Sequence, residues 1–180
     1  GRIGLAVADR AKGFGMHVLG FDPYAAERVR KERQDIEVVE LDHLLRAADF
    51  VSLNVPLSDQ TVGLLGRDAL RRMKPGAIVV NTSRGKIVDE SAMYEALSEG
   101  RIAGYATDVF EKEPPTDSPL LKLPNVLCTP HIGWYTQESM KLLGDQVVAS
   151  ILAVYGGERP ANILNPEVLA RVSPDSWRGK

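Results

Sequence analysis

Three side chains of this 180-residue chain are suited to act together on one small anionic substrate: Arg84, Glu113 and His131. Arg84 lies in VVNTSRGKIVDE, just past an apolar run, where a guanidinium can grip a carboxylate through two parallel hydrogen bonds. His131 lies in CTPHIGW and Glu113 in ATDVFEKEPP. A carboxylate beside an imidazole favours the imidazolium, so such a pair can pass a proton. Taken singly, each residue has a plainer reading. Arg84 is then a surface arginine in a turn, His131 a structural histidine, and Glu113 part of the solvated run Glu111-Lys112-Glu113. Taken together they suit reduction of a carbonyl flanked by a carboxylate, with Arg84 for the anion, His131 for the proton and Glu113 for the histidine.

The opening GRIG adds a second chemical signal. A dinucleotide-binding turn reads G-x-G-x-x-G after a strand and into a helix. One glycine lets the backbone approach the pyrophosphate, another lets helix and strand pack, and the helix N-terminus presents free N–H groups to the phosphates. Gly1 and Gly4 match the last two glycines, with Arg2 and Ile3 between them. Asp22 follows Gly4 by 18 residues, where a carboxylate accepts from an adenosine ribose. By themselves these residues fit equally well as packing glycines and a turn-forming Asp-Pro. Gly13-Phe14-Gly15 has the reverse context, after a helix and before a strand, and is expected to stop that helix, with Gly13 as its C-terminal signal.

These residues need elements to place them. Apolar periodicity and turn residues predict helices over 2–12, 25–33, 41–48, 68–73, 90–98 and 137–155. Apolar runs predict strands over 16–21, 37–39, 50–54, 77–81, 102–107 and 126–128, with a proline-rich connection before the last. Strands alternating with helices, and lacking period-2 polarity, indicate an α/β fold: a doubly wound, mostly parallel sheet of Rossmann type. Ligands of such sheets bind beyond the carboxyl ends of the strands. Asp22, Asn54, Arg84, Asp108 and His131 all follow predicted strand ends.

Composition narrows the function classes. Hydrophobic content of 44% and charged content of 26% are ordinary for a globular protein. A net charge of −2 argues against broad capture of nucleic acid. Cys128, the one cysteine, allows no internal disulfide and reads as a small apolar filler of its strand. His17, His43 and His131 share no metal-ligand spacing, so no metal is expected. No run has the length of a membrane helix, and the default expectation is a cytoplasmic protein with no nucleic-acid or membrane partner.

In order along the chain, GRIG…GFGM, GFDPY, LDHLLRAADFVSLNVPL, MKPGAIVVNTSRGKIVDE, GRIAGYATDVFEKEP and LPNVLCTPHIGW resemble the NAD-binding domain of the D-isomer-specific 2-hydroxyacid dehydrogenases. The likeness covers residues 1 to about 160. It implies NAD as cofactor and interconversion of a 2-oxo acid and a D-2-hydroxy acid. Arg84 would bind the substrate carboxylate, His131 would be the general acid, and Glu113 its partner. Asp22 would hold the adenosine ribose, and Gly1, Arg2, Ile3 and Gly4 the pyrophosphate. Thr82, Ser83 and Asp108 would hold the nicotinamide end, with Val55, Pro56, Thr61 and Gly133 as further cofactor contacts. Trp134, three residues after His131, is similar to the arrangement in C-terminal-binding-protein-like members, where the ring faces the substrate; packing against a helix or a partner subunit is the alternative. The resemblance also implies a homodimer. It divides the chain into an N-terminally truncated NAD-binding domain, 1–157, which lacks the first strand of its sheet, and a segment 158–180 that would return to an absent substrate-binding domain. Two rival readings follow, an NAD(H)-gated corepressor-like binding module and an inactive isolated domain.

Overall fold

The structure, a computed structural model, describes residues 1–171; residues 172–180, the end of the expected return segment, lie outside them. The described residues form two compact units, one of Gly1–Ile132 and one from Gly133 onward. The first holds helices α1 (Arg2–Gly13), α2 (Ala26–Glu32), α3 (Leu41–Ala47), α4 (Arg67–Arg72) and α5 (Glu90–Ser98). Between them run strands β1 (Leu19–Gly20), β2 (Glu37–Val38), β3 (Phe50–Leu53), β4 (Ile78–Asn81), β5 (Gly104–Thr107) and β6 (Val126–Cys128). The second unit is built on helix α6 (Gln137–Tyr155), whose N-cap Thr136 accepts the Ser139 N–H at 3.1 Å.

Every strand pair is parallel, as the alternating pattern requires. Strands β3-β4-β5-β6 form one sheet in that order, registered Phe50 to Ile78, Ile78 to Gly104 and Tyr105 to Val126. In β3, β4 and β5 alternate residues turn to the core: Val51 and Leu53, Val79 and Asn81, Tyr105 and Thr107. Leu45 of α3, Ala69 and Leu70 of α4, and Ala92, Met93, Ala96 and Leu97 of α5 complete that core. The apolar runs thus have one face fully buried and one only partly covered or exposed, rather than two equivalent faces. Gly100, at φ +69°, closes α5: its N–H reaches Leu97 O at 3.1 Å, and the Arg101 N–H reaches Ala96 O at 2.8 Å.

Among the described residues β1 and β2 pair only with each other, Leu19 opposite Glu37 and Gly20 opposite Val38. The strand expected over 16–21 is therefore just two residues long. A ladder extends only as far as its partner, and β2 is equally short. The helix stop also moves: Gly13 is still helical, and Gly15, at φ +74°, makes the turn, with its N–H on Lys12 O at 2.8 Å. The second glycine of GFG takes the left-handed conformation that a side chain resists.

Candidate active site

His131 and Glu113 meet directly. Nδ1 of His131 lies 2.8 Å from Oε2 of Glu113, and Oε1 of Glu113 accepts the Phe110 N–H at 3.0 Å. The His131 hydrogen bond first, and the Phe110 N–H second, hold the Glu113 carboxyl below the usual range. Both side chains remain open to solvent, at 43% and 39% exposure, so a proton can reach them.

The backbone at His131 is unusual, with φ 54°, the left-handed region that non-glycine residues seldom occupy. Asp108, buried at the end of β5, stabilises it. Its Oδ1 accepts the Ile132 N–H at 2.9 Å and the hydroxyl of Thr129, bracketing His131 on both sides. The carboxyl end of one strand thus shapes the loop leaving its neighbour. Beside the pair is a cavity of about 540 Å³, lined by Phe110, Pro114, Leu121, Cys128, Pro130 and His131. Burial pushes the Cys128 thiol up from its usual range.

Arg84 stands on the loop after β4. Fully buried Asn81 shapes that loop, its Nδ2 donating to Arg84 O at 3.0 Å and its Oδ1 accepting the Ser83 N–H at 3.0 Å. Ser83 Oγ donates to Val55 O at 2.5 Å, joining this loop to the one after β3. The Arg84 side chain is exposed, and Nη1 donates to Ser83 O at 2.7 Å. Among the described residues it makes no ion pair, so the guanidinium can take an external carboxylate.

The glycine turn and Asp22 line one groove with Asn54 and Val55. The first helical hydrogen bond of α1 is Leu5 N–H to Gly1 O, 3.0 Å, and among the described residues no side chain caps its N-terminus. The amides of Arg2, Ile3 and Gly4 therefore precede the helical ladder. Asp22 Oδ1 accepts from Tyr24 and Ala25 N–H, both at 3.0 Å, while Oδ2 lies 3.7 Å from the Gly1 nitrogen. Asn54 Oδ1 is buried in this groove and has no hydrogen-bond partner among the described residues. A helix start with free amides, a carboxylate and an acceptor without a partner together fit the phosphate and ribose of a dinucleotide.

The remaining expected cofactor residues divide. Thr82 is exposed beside Ser83. Thr61 Oγ1 donates to Pro56 O at 2.7 Å and accepts the Ser58 N–H at 2.8 Å, so it braces the loop that carries Val55 and Pro56. Gly133 and Trp134 belong to the second unit, where Trp134 meets Tyr135 edge to face, ring centres 5.4 Å apart. Residue types alone did not single out Asn81, Gly85, Glu90, Glu111 or Thr129. The one local signal was Asn81 at a strand end before Thr-Ser, a setting where an amide side chain folds back on its own loop.

Among the described residues no group of three or more His, Cys, Asp or Glu could hold a metal ion, and no helix is long and apolar enough to cross a membrane. Residues 1–133 match the family described as D-isomer specific 2-hydroxyacid dehydrogenase, NAD binding domain. The chain is 49% identical over 179 residues to a glyoxylate reductase of Korarchaeum cryptofilum, covering 99% of this chain and 53% of that protein. It is 47% identical over 166 residues to a D-3-phosphoglycerate dehydrogenase of Methanocaldococcus jannaschii, covering 92% of this chain and 32% of that one. The chain thus spans about half, or less, of the length of these curated relatives. The solved D-lactate dehydrogenase of Aquifex aeolicus, complexed with NAD and lactic acid, superposes with a TM-score of 0.80 at 34% identity, over 88% of this chain and 52% of that one. The Rossmann-type fold agrees with this neighbour. The finer likeness to C-terminal-binding-protein members, read from His131 and Trp134, finds no support in these relatives.

Proposed function

We propose, from the premise that this chain belongs to the D-isomer specific 2-hydroxyacid dehydrogenase family as its NAD-binding domain, that the protein interconverts a 2-oxo acid and a D-2-hydroxy acid. The observation that carries the reading is the 2.8 Å contact between His131 Nδ1 and Glu113 Oε2. Engagement of Nδ1 assigns proton exchange to Nε2. In reduction, His131 donates a proton from Nε2 to the 2-oxo oxygen, and Glu113 holds the ring by its Nδ1. In the reverse direction His131 takes the proton back. Arg84 grips the substrate carboxylate and turns the neighbouring carbonyl toward His131.

When bound, the dinucleotide supplies or accepts the hydride. In this chain Gly1, Arg2, Ile3 and Gly4 would hold its pyrophosphate and Asp22 its adenosine ribose, which favours NAD over NADP. Thr82, Ser83 and Asp108 would hold the nicotinamide end, with Val55, Pro56 and Thr61 as further cofactor contacts. We place the NAD-binding portion at 1–157 and the protein in the cytoplasm as a homodimer.

Turnover of 2-oxo acids with NADH, against the same carbonyl compounds lacking the carboxylate, tests this reading. The expected result is reduction of the acids alone, with Arg84→Ala raising KM by about 10- to 100-fold, the cost of one charge-assisted contact. Equal turnover of both sets by the two proteins would contradict it.

A further inference from the structure

The segment that carries Glu113 leaves β5 and has no regular structure until Pro119, and Glu111, Lys112 and Glu113 are all exposed. Something else must hold it at His131. Two glutamates 21 residues apart provide the tie. The Glu111 N–H donates to Glu90 Oε1 at 2.6 Å, and the Glu90 N–H donates to Glu111 Oε1 at 3.0 Å. Each carboxylate thus satisfies the other residue's backbone, as in a capping box, but across two separate stretches of chain. Ser118 Oγ adds a bond to Glu90 Oε2 at 3.2 Å, catching the far end of the same loop.

Glu90 is the first residue of α5, whose N-cap Asp89 accepts the Ala92 N–H at 2.9 Å and whose Met93 is fully buried. The clamp therefore fastens an exposed loop to a helix seated in the core. Gly85 brings the two loops together. A Cβ there would fall 1.9 Å from the Phe110 carbonyl carbon and 2.3 Å from the Glu111 nitrogen, so only glycine admits this approach. Arg84 directly precedes Gly85, and Phe110 directly precedes Glu111. The contact therefore sets the carboxylate-binding loop against the loop that orients the histidine.

We propose that Glu90 and Glu111 are positioning residues, a reciprocal clamp closed over Gly85 that holds Glu113 against His131 at a fixed separation from Arg84. The inference rests on the reductase reading for its consequence in catalysis, but not for its first test. That test is the carboxyl titration of Glu113 by NMR in the chain itself. Glu111→Ala and Glu90→Ala should both raise its midpoint, because the loop no longer delivers Glu113 to His131 and the Phe110 N–H. Loss of a negative neighbour alone would lower that midpoint, so the sign separates the two effects. Glu111→Gln removes the same charge but keeps an acceptor for the Glu90 N–H, and should not raise it.

A midpoint unmoved by both alanine variants, or raised as far by Glu111→Gln as by Glu111→Ala, would overturn the clamp and leave the function standing. A wild-type Glu113 indifferent to His131→Ala would instead overturn the acid–base pair on which the functional reading rests. If the alanine variants do not fold, hydrogen exchange on the wild-type chain decides. Protected Glu90 and Glu111 amides support the clamp, and exchange at the free rate refutes it. In turnover, the alanine variants should lower kcat about 10- to 100-fold, the scale of a misplaced catalytic group, with the KM for NADH unchanged.

Discussion

The two halves of the first unit are held by different forces. Around β3 to β6 a continuous core runs from Leu45 to Leu120, with Leu45, Val79, Ile87, Val88, Met93, Ile102 and Leu120 fully buried. Around β1 and β2 the buried hydrophobic residues are Ala8 and Ile36. Charges take over there: Arg33 bonds Asp9 at 2.6 Å and Asp35 at 2.9 Å, and Lys12 meets Asp35 at 2.8 Å. Arg84, Glu113 and His131 stand on loops of the dense half. Gly1, Gly4 and Asp22 stand on the lighter one. The residues proposed to move a proton are thus set on a rigid base, whereas those proposed to hold a large cofactor sit where a bound ligand can add order.

Core truncation should show the widest contrast. Met93→Ala is expected to cost about 2–5 kcal/mol in denaturant unfolding, the usual range for a buried large-to-small change. Ile36→Ala should cost less, since Ile36 lies outside the continuous core and lines a groove where water can enter the space left. Equal losses would erase the distinction between the halves. Next comes Gly85→Ala, where backbone rather than a flexible side chain opposes the new methyl. A loss of about 3 kcal/mol is expected in the same assay. Asp89→Ala, which removes the α5 cap, should cost about 1 kcal/mol.

The smallest effect is on pH dependence. Arg33, and then Lys12, hold the Asp35 carboxyl well below the usual carboxylate range. A group depressed in the folded state contributes stability above its unfolded value and loses it as pH falls toward the folded one. Acidification below the ordinary carboxylate range should therefore loosen β1 and β2 before β4 and β5 in amide exchange. High salt should act in the same direction, because these pairs are exposed. Simultaneous loss of protection in all four strands would show one cooperative unit instead.

What could be read along the chain reflects the same division. Strands β3 to β6 are dense in apolar residues and closed by turn signals such as Pro75-Gly76 and Gly100, so their positions follow from local pattern. Met16 to Phe21 has the same apolar look, but a strand ends where its partner does, and no local pattern reports the length of β2. Arg84, Glu113 and His131 stood out as candidates because their residue types, beyond strand ends, suit one chemistry. The ties that aim them were not. Glu90 with Glu111, and Asp108 with Thr129, are hydrogen bonds across 21 residues, made by types that are commonplace on any surface. Gly85 looks like any loop glycine until the Phe110 backbone is placed against it.

The most direct test of the proposed chemistry is the kcat for a reducible 2-oxo acid at saturating NADH in His131→Ala, with NADH affinity measured on the same sample. A fall of about 10²- to 10⁴-fold, the range for loss of a general acid, with unchanged NADH binding is the predicted result. Undiminished turnover would contradict the assignment of His131 as the proton donor, and with it the functional reading of the site.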